Sequence, residues 1–158
     1  MNSAAVSNDT IVQETTIKAP ASRIFAALTD PAELLQWWRA ENQFQVTHVE
    51  SDLRPGGKWL MRVAGACGPG QSSSVVSGVY RTIEPPNLLI FTWNRENEDH
   101  PETLVRWDLE EHNGLTTVRV SHSGLDTEAL RKRNGGWPLI VQLLHAHIAE
   151  KENSNGHA

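Results

Sequence analysis

Hydrophobic positions along this chain follow two periods, and the switches between them divide it into elements. From Thr10 to Ile17, β-branched residues alternate with polar ones, which predicts a strand. From Ala21 to Leu28 the spacing is helical, with Ile24, Phe25 and Leu28 on one face and Pro20 placed to open the helix. Thr29-Asp30-Pro31 ends that helix and begins a second. Asp30 as N-cap, Pro31 at N1 and Glu33 at N3 have the spacing of a capping box, and the helix is expected to end in Gln36-Trp37-Trp38.

Beyond Trp38 the period falls to two. Strands are expected at Gln43–Glu50, Gly57–Ala64, Ser74–Ile83, Leu88–Arg95, Thr103–Glu110 and Leu115–His122. Turn chemistry separates them: Pro55-Gly56-Gly57, Cys67-Gly68-Pro69-Gly70, Pro85-Pro86-Asn87, an acidic loop from Glu96 to Pro101, and Asn113-Gly114. In the run Asp52 to Trp59 (D-L-R-P-G-G-K-W), Pro55 fixes φ at the first central turn position and Gly56 supplies the positive φ of a type II turn. Ser123 to Asn134 is a polar connection with some helical character, broken by Gly135-Gly136. A last helix, Trp137–Glu150, carries the stripe Trp137, Ile140, Val141, Leu144 and Ile148.

Strands joined by short loops form an antiparallel meander, and a curved sheet has one apolar face to cover. The expected architecture is therefore α+β: about seven antiparallel strands wrapped on a long C-terminal helix, with two short helices after the first strand. Alternation assigns the inner positions. Trp59, Met61 and Val63 oppose Lys58, Leu60 and Arg62; Leu89, Phe91 and Trp93 go together. Val105, Trp107 and Leu109 oppose Arg106, Asp108 and Glu110. Val118 and Val120 bring His122 with them, and Tyr80 is a second polar side chain on the inner surface. The pair Trp37-Trp38 is expected to split, one ring inward and one near the mouth of a cavity. No repeat or linker divides the chain, so one domain is expected at 10–151, between disordered tails at 1–9 and 152–158.

Composition narrows the functional classes. The 158 residues include six tryptophans and carry a net charge of −5, which opposes a nucleic-acid-binding face. Arg131-Lys132-Arg133 reads as a solvated helix end. The single cysteine, Cys67, fits a reducing, cytoplasmic setting and lacks a histidine at fixed spacing. No apolar run is long enough to span a membrane, and no secretion signal opens the chain, which leaves the sequon at Asn8 without meaning. His145 and His147, two apart, face different sides of a helix and do not make an i, i+4 metal pair. Gly68-Pro69-Gly70 lacks the Lys-Ser/Thr of a phosphate loop. No catalytic set, metal or cofactor is expected from spacing.

Six stretches in order also resemble a known family. They are I-K-A-P-A-S-R-I-F-A-A-L-T-D-P from Ile17, W-W at Trp37, D-L-R-P-G-G-K-W from Asp52, G-V-Y-R-T-I-E-P-P-N-L-L-I-F-T-W from Gly78, V-S-H-S-G-L from Val120 and G-G-W-P from Gly135. Together they resemble the SRPBCC, or START-like, superfamily with its helix-grip fold. Within it they resemble the family named for the C-terminal domain of the heat-shock-protein-90 ATPase activator. The resemblance implies a fold and a cavity, not a ligand. The chain lacks the N-terminal domain of true co-chaperones, which weighs against a chaperone role, and residues Ala40 to Glu50 carry no catalytic signature.

The expected function is binding of a small hydrophobic molecule between sheet and C-terminal helix, by a monomer or weak homodimer. The expected cavity residues are Trp38, Trp59, Met61, Tyr80, Phe91, Trp93, Trp107, His122, Trp137 and Leu144. The tryptophans either fill the core or wall a pocket, since large rigid rings suit both. His122 either orients a ligand or is a core histidine bonded to its surroundings. The alternatives are an enzyme of the same fold, a cyclase or hydrolase using His122 or Tyr80 as acid or base, and a protein-interaction module that contacts a chaperone.

Overall fold

A computed structural model describes residues 9–40, 43–65, 73–95 and 102–156. The chain opens with β1 (Ile11–Ile17), α1 (Ala21–Thr29) and α2 (Pro31–Trp37). There follow β2 (Arg39–Ala40), β3 (Phe44–Ser51), β4 (Lys58–Gly65), β5 (Ser73–Glu84), β6 (Leu88–Arg95), β7 (Thr103–His112) and β8 (Leu115–Ser123). Two more helices, α3 (Glu128–Arg133) and α4 (Trp137–Gly156), close the chain. The expectations for Asn8, Cys67, Gly68-Pro69-Gly70 and Glu96 to Pro101 lie outside the described residues, as does the N-terminal tail except Asp9.

All strands form one sheet in the order β1-β8-β7-β6-β5-β4-β3-β2. Every neighbouring pair is antiparallel, and β1 returns to pair with β8. The architecture is the expected helix grip, with eight strands instead of about seven. The extra one, β2, pairs Arg39 with Gln45 and Ala40 with Phe44; two residues are too few for alternation to reveal. The last helix also runs on past its expected end at Glu150, its backbone continuing to Gly156.

Turn chemistry sets the register. Gly56 has φ 86°, and Asn113 and Gly114 are both at positive φ, 54° and 82°, as a type I′ hairpin requires. The 52–57 turn is anchored beyond its own hairpin: Gly56 N donates to Tyr80 O at 2.8 Å and Tyr80 N to Gly57 O at 2.9 Å. With the register so fixed, Trp59 and Met61 are buried while Lys58 and Arg62 are exposed. The buried inner face runs on through Val76, Tyr80, Leu89, Trp93, Val105, Trp107, Leu109, Val118 and Val120.

The helices cap the concave face unevenly. Asp30 caps α2 as expected, accepting from Ala32 N at 2.9 Å, but Glu33 does not complete a capping box. Its carboxylate instead accepts from both Arg23 Nη atoms, at 2.9 and 3.0 Å, and from His147 Nε2 at 2.8 Å. This ties α1, α2 and α4 together. His145, on another face of α4, meets Thr15 of β1 at 3.2 Å. The main sheet contact of α4 is with β1, so the concavity over β4–β6 is left for other side chains to fill.

Burial raises the Glu33 carboxyl, but the His147 and Arg23 hydrogen bonds outweigh it and hold the group below the usual glutamate range. A depressed folded-state value gives stability that is full above the ordinary glutamate value of about 4.3 and is lost as pH falls through the lower, folded one. Thermal unfolding between neutral pH and pH 3 should therefore show a steeper acid decline for the parent than for Glu33→Gln. Superimposable acid limbs would refute this.

No helix among the described residues is long and apolar enough to cross a membrane.

Candidate functional site

Six tryptophans and one histidine dominate the interior where α4 begins. Trp37 and Trp38 split as expected. Trp37 is buried and donates from Nε1 to Ala27 O at 2.9 Å. Trp38 remains half-buried and packs on Trp37, Trp93 and Trp137 at centroid distances of 5.2, 6.4 and 6.1 Å. Trp93 is the hub of the cluster, with Trp59, Trp137 and His122 at 5.5, 5.6 and 5.6 Å.

Two cavities border this cluster. One is a pocket of about 40 Å³ among Trp59, Tyr80, Phe91, Trp107 and Glu50, little more than a water site. The Tyr80 hydroxyl there shares a 2.8 Å hydrogen bond with Ser51 Oγ, and burial pushes its pKa up despite that bond. The other is an open-sided cleft of about 430 Å³. Its walls are Met61, Val63, Val76 and Trp93 from the sheet, Trp38 and Phe44 from the β2 side, and Trp137 and Ile140 from the start of α4. It lies where α4 leaves the concave face uncovered, and its volume falls within the range of small-molecule sites.

Of the ten residues expected at a cavity, eight line one of the two. Trp38, Met61 and Trp93 line both; Trp137 lines the cleft; Trp59, Tyr80, Phe91 and Trp107 line the small pocket. His122 and Leu144 line neither. Leu144 is fully buried two turns along α4 from Trp137, on the covered side of the core. Helical spacing identified its stripe but not its depth.

His122 is a core histidine with both nitrogens engaged. Trp137 Nε1 donates to Nδ1 at 3.0 Å, and Nε2 lies 2.8 Å from Thr103 Oγ1, which itself donates to Trp93 O at 3.0 Å. An indole nitrogen only donates, so Nδ1 carries the lone pair and Nε2 the proton. The ring is neutral, fully buried, and directed into a chain of bonds that ends at a backbone carbonyl. It lines neither of the two cavities, so the geometry among the described residues gives the acid–base role expected of it no support.

Sequence reasoning missed the cleft's polar residues, Arg95, Asn134 and Ser74. Arg95 had a signal, since it follows Trp93 in the same alternation as Leu89 and Phe91. Its guanidinium carbon lies 5.8 Å from the Trp93 ring centroid, and its Nε donates to Asn134 Oδ1 at 3.4 Å. Asn134 is buried and fixed by its own Nδ2 bond to Leu130 O at 2.9 Å. Trp93 Nε1–H is buried with no acceptor among the described residues. An unpaired buried donor costs about 1–3 kcal/mol, which an acceptor on a bound molecule would relieve. Among the described residues no cluster of three His, Cys, Asp or Glu side chains is disposed to hold a metal.

Solved structures with this fold span the whole domain. A protein of Chromobacterium violaceum superposes with a TM-score of 0.77 at 21% identity, covering 89% of this chain and 96% of that one. An AHSA1-like protein of Aeromonas hydrophila gives 0.72 at 18%, covering 90% and 94%. DynU16, described as a putative protein in the dynemicin biosynthetic locus, gives 0.69 at 22%, covering 90% of this chain and 48% of that one. These likenesses concern the fold. A curated alanine–tRNA ligase of Chlorobium chlorochromatii is 31% identical over 105 residues, 56% of this chain. The chain spans only 12% of that enzyme, so aminoacylation is a statement about the ligase alone. The family described as "Activator of Hsp90 ATPase homolog 1-like protein" matches residues 18–149, and the chain belongs to it.

Proposed function

We propose that this protein binds a small, mostly apolar molecule in the cleft between the sheet and the first turn of α4. The observation that carries the reading is the cleft itself, about 430 Å³ walled by Trp38, Trp93 and Trp137. A core of this size would ordinarily be close-packed. The unpartnered Trp93 Nε1–H in its wall supports a ligand that offers an acceptor to that ring. No carboxylate, histidine or lysine lines the cleft among the described residues, so nothing there favours the cyclase or hydrolase reading. Nor does a specific observation favour chaperone docking: the exposed leucines 35, 53, 104 and 115 sit on α2, the 52–57 turn and opposite ends of the β7–β8 hairpin. A monomer or weak homodimer in the cytoplasm completes the reading.

N-phenyl-1-naphthylamine, an uncharged probe that fluoresces in apolar sites, tests it. Saturable binding is expected. Val63→Trp, which fills the cleft from a half-buried position, should weaken it at least about tenfold, or 1.4 kcal/mol, with little change in melting temperature. Absence of saturable binding, or equal affinity in a folded Val63→Trp, would overturn the proposal.

A further inference from the structure

We infer that the small pocket is the inner end of the same binding site, and that the ligand is an elongated, uncharged aromatic molecule whose terminal carbonyl accepts a hydrogen bond from Tyr80 there. This rests on the binding reading above and specifies its ligand.

Three observations converge on it. First, the cleft of about 430 Å³ and the pocket of about 40 Å³ share a wall, because Trp38, Met61 and Trp93 line both. Trp38 is the part of that wall best placed to yield. It is half-buried, and its ring is held by contacts with Trp37, Trp93 and Trp137 but by no hydrogen bond to a described residue.

Second, donors are in excess around the small pocket. Tyr80 and Ser51 have two hydroxyl protons between them, and their 2.8 Å bond uses one. Ser51 lines neither space, whereas Tyr80, 5% exposed, lines the pocket. With Ser51 as donor, the Tyr80 O–H is left for a ligand. Trp93 Nε1–H, buried without an acceptor, is a second unspent donor in the shared wall. A ligand acceptor matches this excess, and a ligand donor adds to it.

Third, size and charge restrict what carries the acceptor. A space of 40 Å³ holds about three water-sized groups, enough for an acetyl but not for a ring, so the rings stay in the cleft. Among the described residues Glu50 is the one charged side chain lining the pocket; it is exposed and its carboxylate lies 2.7 Å from His48 Nε2. A carboxylate or phosphate end would be set near that like charge. A carbonyl offers the acceptor without it.

The probes are 6-acetyl-2-dimethylaminonaphthalene, whose emission moves to longer wavelength when its carbonyl accepts a hydrogen bond, and the 6-ethyl analogue that lacks the carbonyl. The parent should bind the ketone at least about tenfold more tightly. Tyr80→Phe should lower ketone affinity about tenfold and shift its bound emission to shorter wavelength, leaving the ethyl compound unchanged; a merely structural role for Tyr80 would weaken both. Val49→Phe narrows the small pocket from a half-buried position and is the second variant if Tyr80→Phe fails to fold. It should weaken the ketone about tenfold and leave N-phenyl-1-naphthylamine unchanged. Val63→Trp should weaken both naphthalenes, tying them to the cleft. Equal parent affinities for the ketone and its analogue, equal effects of Tyr80→Phe on the two, or ketone binding untouched by Val49→Phe would overturn the inference while leaving binding of N-phenyl-1-naphthylamine intact. If that probe also fails to bind, the binding reading falls and the inference with it.

Discussion

Gly78→Ala is expected to destabilise the protein by about 3–4 kcal/mol, among the largest effects a single methyl group can have here. Gly78 pairs with Trp59 across β4 and β5. The Trp59 indole donates from Nε1 to Thr92 O on β6 at 3.2 Å, close over Gly78. Direct β5–β6 pairing lapses there, between Ser77↔Asn94 and Tyr80↔Phe91, and Val79 N bonds the Thr92 hydroxyl at 2.8 Å. A Cβ on residue 78 would fall onto the Thr92 carbonyl oxygen and lie 2.7 Å from Trp59 Nε1. The strands would have to part and the indole would lose its acceptor. Overpacking costs about 1–3 kcal/mol and an orphaned buried donor a further 1–3. The opposing gain, from restricting the unfolded chain, is only about 0.4–1 kcal/mol. Gly136→Ala isolates that gain, since a Cβ there meets nothing within 4 Å, and it should be neutral or slightly stabilising. Urea unfolding of the two variants decides the matter: similar midpoints would show that the Gly78 contact is soft.

Gly78 also illustrates what the sequence could and could not reveal. A glycine inside a strand pattern signals close approach of another group, but not which group. The strand register was legible because one face of the sheet is apolar and a one-residue slip would exchange Trp59 with Lys58. Caps and turns were legible because Asp30, Gly56 and Asn113-Gly114 act within a few residues of themselves. Contacts made across the fold were not. Glu33 has capping-box spacing, yet a guanidinium and an imidazole from α1 and α4 outcompete the nearby amide. Leu144 and Trp137 share a helical stripe, but only the uneven seating of α4 over β1 decides that one is deep core and the other a cleft wall. Arg95 was overlooked because a charged residue at a strand end normally reads as solvated, although its alternation with Trp93 places it on the inner face.

The His122–Trp137 pair carries the second large effect, and its test is a double-mutant cycle. Trp137→Phe should cost about 2–4 kcal/mol: it leaves Nδ1 of a fully buried histidine without a donor and opens space beside Trp38, Trp93 and Trp107. His122→Leu should cost a similar amount, because it strands the Trp137 N–H instead. The double variant leaves neither orphan, so its cost should fall short of the sum by at least about 1 kcal/mol. Additivity within about 0.5 kcal/mol would mean that the 3.0 Å bond contributes little in solution. The same cycle read by N-phenyl-1-naphthylamine affinity separates two roles for His122. It touches neither cavity, yet it holds the ring that forms one wall of the cleft. His122→Leu should therefore weaken probe binding in the Trp137 background and leave it nearly unchanged in the Trp137→Phe background. A histidine that contacted the ligand directly would weaken binding in both. The difference would establish that this buried neutral imidazole serves function by fixing the orientation of Trp137, with no proton exchanged.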